Sequence, residues 1–106
     1  MHCTTLIQGN TGTLKIEGRF TFENHQEFRD HTAQLLATPG LTAIHLDLRN
    51  LGYLDSNALG MLLLLREKAR PRNLEIRLLD PSPAVMEILD MVQFGKLFQI
   101  ISGPQA

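Results

Sequence analysis

Apolar and polar positions change period several times along this chain, and each change marks an element. Thr13 to Gly18 alternates, with Leu14 and Ile16 apolar and Lys15 and Glu17 polar. That is the period-two signature of a half-buried strand. Cys3 to Gln8 reads as a shorter strand before it, and Asn10-Thr11-Gly12 as the turn between them, so the two predict an antiparallel hairpin. From Phe22 to Thr38 the period lengthens. At about 100° per residue, His25, Phe28, Thr32, Leu35 and Leu36 share one helix face, and Pro39-Gly40 stops the helix. Leu41 to Leu48 reads as strand again, alternating from Ala43, and runs into a short loop. A helix then starts at Ser56 and runs to about Arg70, where Pro71 ends it. Leu74 to Leu79 is a strand. Ser82 is placed as N-cap and Pro83 as first residue of a further helix, with Val85, Ile88, Leu89 and Val92 on its apolar face. Leu97 to Ile101 closes the pattern as a short strand, and Ser102 to Ala106 is a tail.

The predicted order is β-β-α-β-α-β-α-β. Strands that alternate with helices pair in parallel, and the opening hairpin adds an antiparallel edge. The fold class is therefore α/β, one mixed sheet with an antiparallel N-terminal hairpin and helices packed on at least one face. A chain of 106 residues makes a single domain, 1–106.

Charge and composition narrow the function. A net charge of −1 with no basic run argues against nucleic acid and anionic membrane as partners. Arg66, Lys68, Arg70 and Arg72 fall at a helix end, where cations offset the dipole. The lone Cys3 forbids an internal disulfide, suits a reducing compartment and reads as an ordinary small side chain. The N-terminus lacks the pattern of a signal peptide, and the apolar run Ala58–Leu65 is too short to span a bilayer. A cytoplasmic protein without direct membrane insertion is expected.

Catalytic chemistry is not visible. His25 and His31 sit about 240° apart around one predicted helix, unlike the i, i+4 pair that would share a metal. His45 reads as a structural sheet residue. No histidine with an acidic partner is placed beside Ser56, so a serine hydrolase has little support.

The helix that starts at Ser56 carries the strongest signal. Ala58, Leu62, Leu65 and Ala69 fall within about 40° of each other, the face assigned to the core. Ser56, Gly60, Leu63, Leu64 and Glu67 lie on the opposite side. A surface helix ordinarily has a polar outer face, so this one predicts a docking surface, with Gly60 as a shallow spot. Either Asp55 or Ser56 serves as N-cap. A phosphate on Ser56 would lie beside unpaired N–H groups at the positive helix end.

Asp55-Ser56-Asn57-Ala58-Leu59-Gly60 resembles the Asp-Ser-Ser-Gly-Leu-Gly signature of STAS domains, the bacterial anti-sigma factor antagonist family. Leu14–Gly18 resembles that family's second strand. Ile44–Leu48 with Leu54-Asp55-Ser56 resembles its central strand and phosphorylation loop. Ile88-Leu89-Asp90 through Lys96–Ile100 resembles its last helix and strand. The resemblance implies a non-catalytic switch without cofactor or required metal. Its partners would be an anti-sigma factor that is also a serine kinase, and a phosphatase. Ser56 would be the phosphoacceptor, flanked by Asp55 and Asn57, and the partner would cover Ser56, Gly60, Leu63, Leu64 and Glu67. Weak self-association is compatible with such a face. Asn57-Ala58 replaces the family's Ser-Gly, Arg19–Phe22 replaces a Glu-Leu-Asp-like run, and Gln93 stands where glycine is common. These departures point to a divergent member, in a stressosome or two-component assembly instead of direct sigma release. The same fold also serves as a constitutive subunit of a lipid-transport ABC complex.

Overall fold

The computed structural model describes residues 1–102; positions 103–106 of the expected tail lie outside them. β1 (His2–Gln8) and β2 (Thr11–Phe20) form the expected antiparallel hairpin, in register from His2↔Glu17 to Gln8↔Thr11. Then come α1 (His25–Ala37), β3 (Ala43–Asp47), β4 (Leu51–Leu54), α2 (Ser56–Ala69), β5 (Glu75–Leu79), α3 (Pro83–Met91) and β6 (Gln99–Ile101). The sheet order is β1-β2-β3-β5-β6, with β4 also beside β2, and every pair after the hairpin is parallel. The α/β class with a mixed sheet is as expected.

One strand stands where a loop was expected. β2 is long enough to use two partners in turn. Thr11–Lys15 pairs with β3, and Gly18–Phe20 pairs with β4. The register shifts between Gly18 and Arg19, where Gly18 takes φ +88°, a conformation that glycine adopts without a Cβ penalty. Gly18 N–H donates to the Asn50 carbonyl at 3.0 Å across this switch.

Alternation along the strands sorts the two sheet faces. Leu14, Ile16, Ile44, Leu46, Ile76 and Leu78 are buried with the inner faces of the helices in one core. Lys15, Glu17, His45, Asp47 and Arg77 stay half-exposed between them. α1 begins three residues later than predicted. Phe22–Asn24 forms a 3-10 turn capped by Thr21, whose hydroxyl accepts from Glu23 N–H while its own N–H donates to Asn24 Oδ1 at 3.0 Å. α1 buries Phe28, Thr32 and Leu35. Leu35 comes so close to β2 that a Cβ on Gly12 would lie 2.7 Å from its Cδ2. α2 buries Ala58, Leu62, Leu65 and Ala69, the predicted core face. α3 buries Val85 and Leu89, but Val92 is exposed, because the helix ends at Met91 and Gln93 turns the chain at φ 58°.

Candidate protein-interaction site

β4 delivers the chain to the start of α2. Leu54 is buried, and the next residue, Asp55, donates its N–H to the Phe20 carbonyl at 3.2 Å. Asp55 is the N-cap of α2. Its Oδ1 accepts Ala58 N–H at 2.8 Å, and its Oδ2 accepts Phe22 N–H at 3.2 Å. One carboxylate thus caps the helix and ties it to the turn that leads into α1. The bond from Ala58 N–H, aided by that from Phe22 and outweighing the effect of burial, holds the Asp55 carboxyl below its usual range.

With the cap supplied by Asp55, Ser56 is the first helical residue and is exposed. Among the described residues its hydroxyl makes no hydrogen bond. Ser82 differs. Its hydroxyl donates to the Leu51 carbonyl at 2.6 Å and accepts Val85 N–H at 3.4 Å, as the cap of α3.

Beside Ser56 an apolar groove of about 280 Å³ opens between α1 and α2. Phe22, His25 and Arg29 form one wall; Asn57, Gly60, Met61 and Leu64 form the other. Phe22 is 57% exposed and stacks on the His25 ring with centroids 4.9 Å apart. His25 Nδ1 lies 2.9 Å from the Phe22 carbonyl oxygen, which fixes that wall. A Cβ on Gly60 would meet nothing within 4 Å, so the missing side chain is what leaves the floor open.

The structure divides the residues expected to meet a partner. Gly60 and Leu64 line the groove, as does Asn57, which was expected only to flank the phosphosite, and Ser56 immediately precedes Asn57 in the chain. Leu63 is half-buried against the core and does not line it. Glu67 is exposed farther along α2, in ion pairs with Arg66 at 3.4 Å and Arg70 at 3.5 Å. Phe22, His25, Arg29 and Met61 were missed. The exposed phenylalanine ahead of α1 was the available signal, but only the packing of α1 on α2 places it beside Ser56.

The remaining chemistry is sparse. Arg77 Nη1 lies 3.1 Å from His45 Nε2, and burial, then this guanidinium, lowers the tendency of His45 to take a proton. The Cys3 thiol is pushed up to about 11 by burial first and then by the neighbouring Glu27 carboxylate, so it is protonated near neutrality. Among the described residues no helix is long and apolar enough to cross a membrane.

A family model described as "Mlab, STAS domain" matches residues 3–101. A STAS-domain containing protein of Pseudomonas aeruginosa (strain UCBPP-PA14) is 48% identical over 92 residues, covering 87% of this chain and 89% of that protein. Among solved structures, an anti-sigma-factor antagonist (STAS) domain protein from Planctomyces limnophilus superposes with a TM-score of 0.84 at 11% identity, covering 97% of this chain and 92% of that one. The anti-sigma factor antagonist SpoIIAA in its unphosphorylated form gives 0.76 at 17% identity, over 97% and 90% of the two chains. The phosphorylated form of SpoIIAA, a Bacillus cell fate determinant, gives 0.76 at 15% identity, over 98% and 93%. At such identities the structural likeness establishes the fold.

Proposed function

The chain belongs to the STAS domain family, and from that premise we propose that it is a non-catalytic, phosphorylation-switched interaction module of the cytoplasm. The unmodified form binds a kinase-type anti-sigma factor or a related signalling partner through the α1–α2 groove. That partner phosphorylates Ser56, the complex separates, and a phosphatase restores binding.

One observation carries this reading: the Ser56 hydroxyl is exposed, relieved of capping by Asp55, and adjacent to an apolar groove. Phosphorylation adds about −1.5 to −2 charges and three acceptor oxygens. The positive end of α2 accommodates them, so the fold tolerates the modification. A partner lying over Ser56 does not, because it has to strip water from phosphate and the Asp55 carboxylate together. Local repulsion and desolvation suffice without refolding. ATP and its metal ion enter with the kinase; this chain supplies only the acceptor oxygen and the surface that presents it.

The solved structures support a protein partner, since two of them are named as anti-sigma factor antagonists and one as a phosphorylated form. A constitutive subunit of a lipid-transport ABC complex would use the same apolar face with no need of a free hydroxyl. Incubation with the cognate kinase and Mg-ATP, followed by mass spectrometry, tests the assignment. Phosphate on Ser56 is expected. Phosphate on Ser82 or Ser102 alone sinks it, and co-purification with a permease and no kinase favours the constitutive subunit.

A further inference from the structure

We propose that Cys3, Glu27 and His31 form a binding site for a zinc-like divalent cation, on the flank of α1 opposite the groove. Each offers one ligand atom, and these atoms all lie within 4.8 Å of one another. Glu27 and His31 are four apart on α1, so both project to the same side, about half a turn away from His25 and Arg29. Cys3 reaches the pair from β1, where Cys3 and Thr5 are the half-buried positions and His2 and Thr4 face outward. Thr5 Oγ1 lies 3.0 Å from His31 Nδ1. A hydrogen bond to one ring nitrogen is how proteins orient a ligating imidazole.

The donor set selects the ion. One sulfur, one imidazole and one carboxylate suit zinc or cobalt and not magnesium or calcium, which prefer oxygen alone. Tetrahedral bonds of about 2.0–2.3 Å put neighbouring ligand atoms about 3.3–3.6 Å apart. Contraction from within 4.8 Å needs a shift of about 1 Å, a rotamer adjustment for three half-buried side chains. The ion binds sulfur as thiolate, so one proton leaves the thiol for solvent as the metal–sulfur bond forms. Thiolate and carboxylate together then balance the charge of a divalent ion, and water takes the fourth position. The ion would pin the sheet-edge strand β1 to α1, the helix that supplies one wall of the groove. Along the sequence His31 is weighed as a ligand only with His25, and the absence of a required metal follows from the family resemblance; the ligands that the fold brings to His31 are Glu27 and Cys3.

Cobalt(II), titrated into the reduced, chelator-treated chain, is the direct probe. One ion per chain should bind, with a thiolate-to-cobalt charge-transfer band that zinc displaces and Cys3→Ser abolishes. His31→Gln should weaken zinc affinity by more than about tenfold, the lower end of what losing even a group hydrogen-bonded to a ligand costs. It also keeps the test open if Cys3→Ser folds poorly. His2→Ala should change neither the band nor the affinity. Absence of a thiolate band in the unsubstituted chain overturns the proposal. So does zinc affinity that falls with His2→Ala and not with His31→Gln.

Discussion

Asp55 Oδ1 accepts the backbone N–H of Ala58 at 2.8 Å, and this bond puts the cap of α2 one residue ahead of Ser56. The carboxylate does the structural work that a serine at a helix start ordinarily does. Its second oxygen holds Phe22 N–H, so the same residue joins both walls of the groove.

Acid should therefore loosen the α2 start. The Asp55 carboxyl is held below its usual range, so the stability it contributes is complete above the ordinary aspartate value. It is lost as pH falls from there, below about 4, toward the lower folded value. Asp55→Asn keeps an acceptor for Ala58 and cannot titrate. Urea midpoints measured at pH 6 and pH 3 should fall less in Asp55→Asn than in the unsubstituted chain; equal falls would deny the carboxylate this role.

His45 acts at higher pH. Burial and Arg77 disfavour its charged form in the folded chain. The unfolded chain therefore gains a proton on this residue more readily below about pH 6.5, and stability declines as pH falls through that value. Thermal midpoints between pH 7 and pH 5 should decline less in His45→Gln, with an unchanged slope as the contrary result.

The two sides of α2 should respond differently to substitution. Leu62 is buried at 1% exposure and Leu64 is 46% exposed in the groove wall. Leu62→Ala should cost about 2–5 kcal/mol in denaturant unfolding. Leu64→Ser should cost about 1 kcal/mol or less and instead weaken the partner complex. Comparable destabilisation by both would make the outer side part of the core.

Gly60 offers a cleaner probe, because a Cβ there meets nothing within 4 Å. Gly60→Ala should stabilise the chain by about 0.5–1 kcal/mol through helix propensity alone. Gly60→Leu should fold as well but fill the groove and reduce partner affinity. Undiminished binding by Gly60→Leu would move the interface elsewhere.

The parts of this molecule that were legible in its sequence are those set by local period. The hairpin, the core face of α2 and the Ser82-Pro83 start of α3 needed only alternation, a helical wheel and capping chemistry. β4 was hidden because Leu51-Gly52-Tyr53-Leu54 is short and contains glycine, and because its partner is the far end of a strand that also pairs with β3. Leu63 was placed outside with Leu64 because a wheel gives direction and not what neighbour covers it. The wall made by Phe22, His25 and Arg29 depends on α1 settling against α2, a contact between segments about thirty residues apart.

Calorimetric titration of the kinase-type partner with the unmodified chain, Ser56→Ala, Ser56→Asp and the Ser56-phosphorylated chain measures the switch itself. The unmodified chain and Ser56→Ala should bind alike, Ser56→Asp more weakly, and the phosphorylated chain most weakly, since aspartate carries one charge and phosphoserine nearly two. Equal affinities across all four would contradict the switch and leave Ser56 as an ordinary first residue of α2.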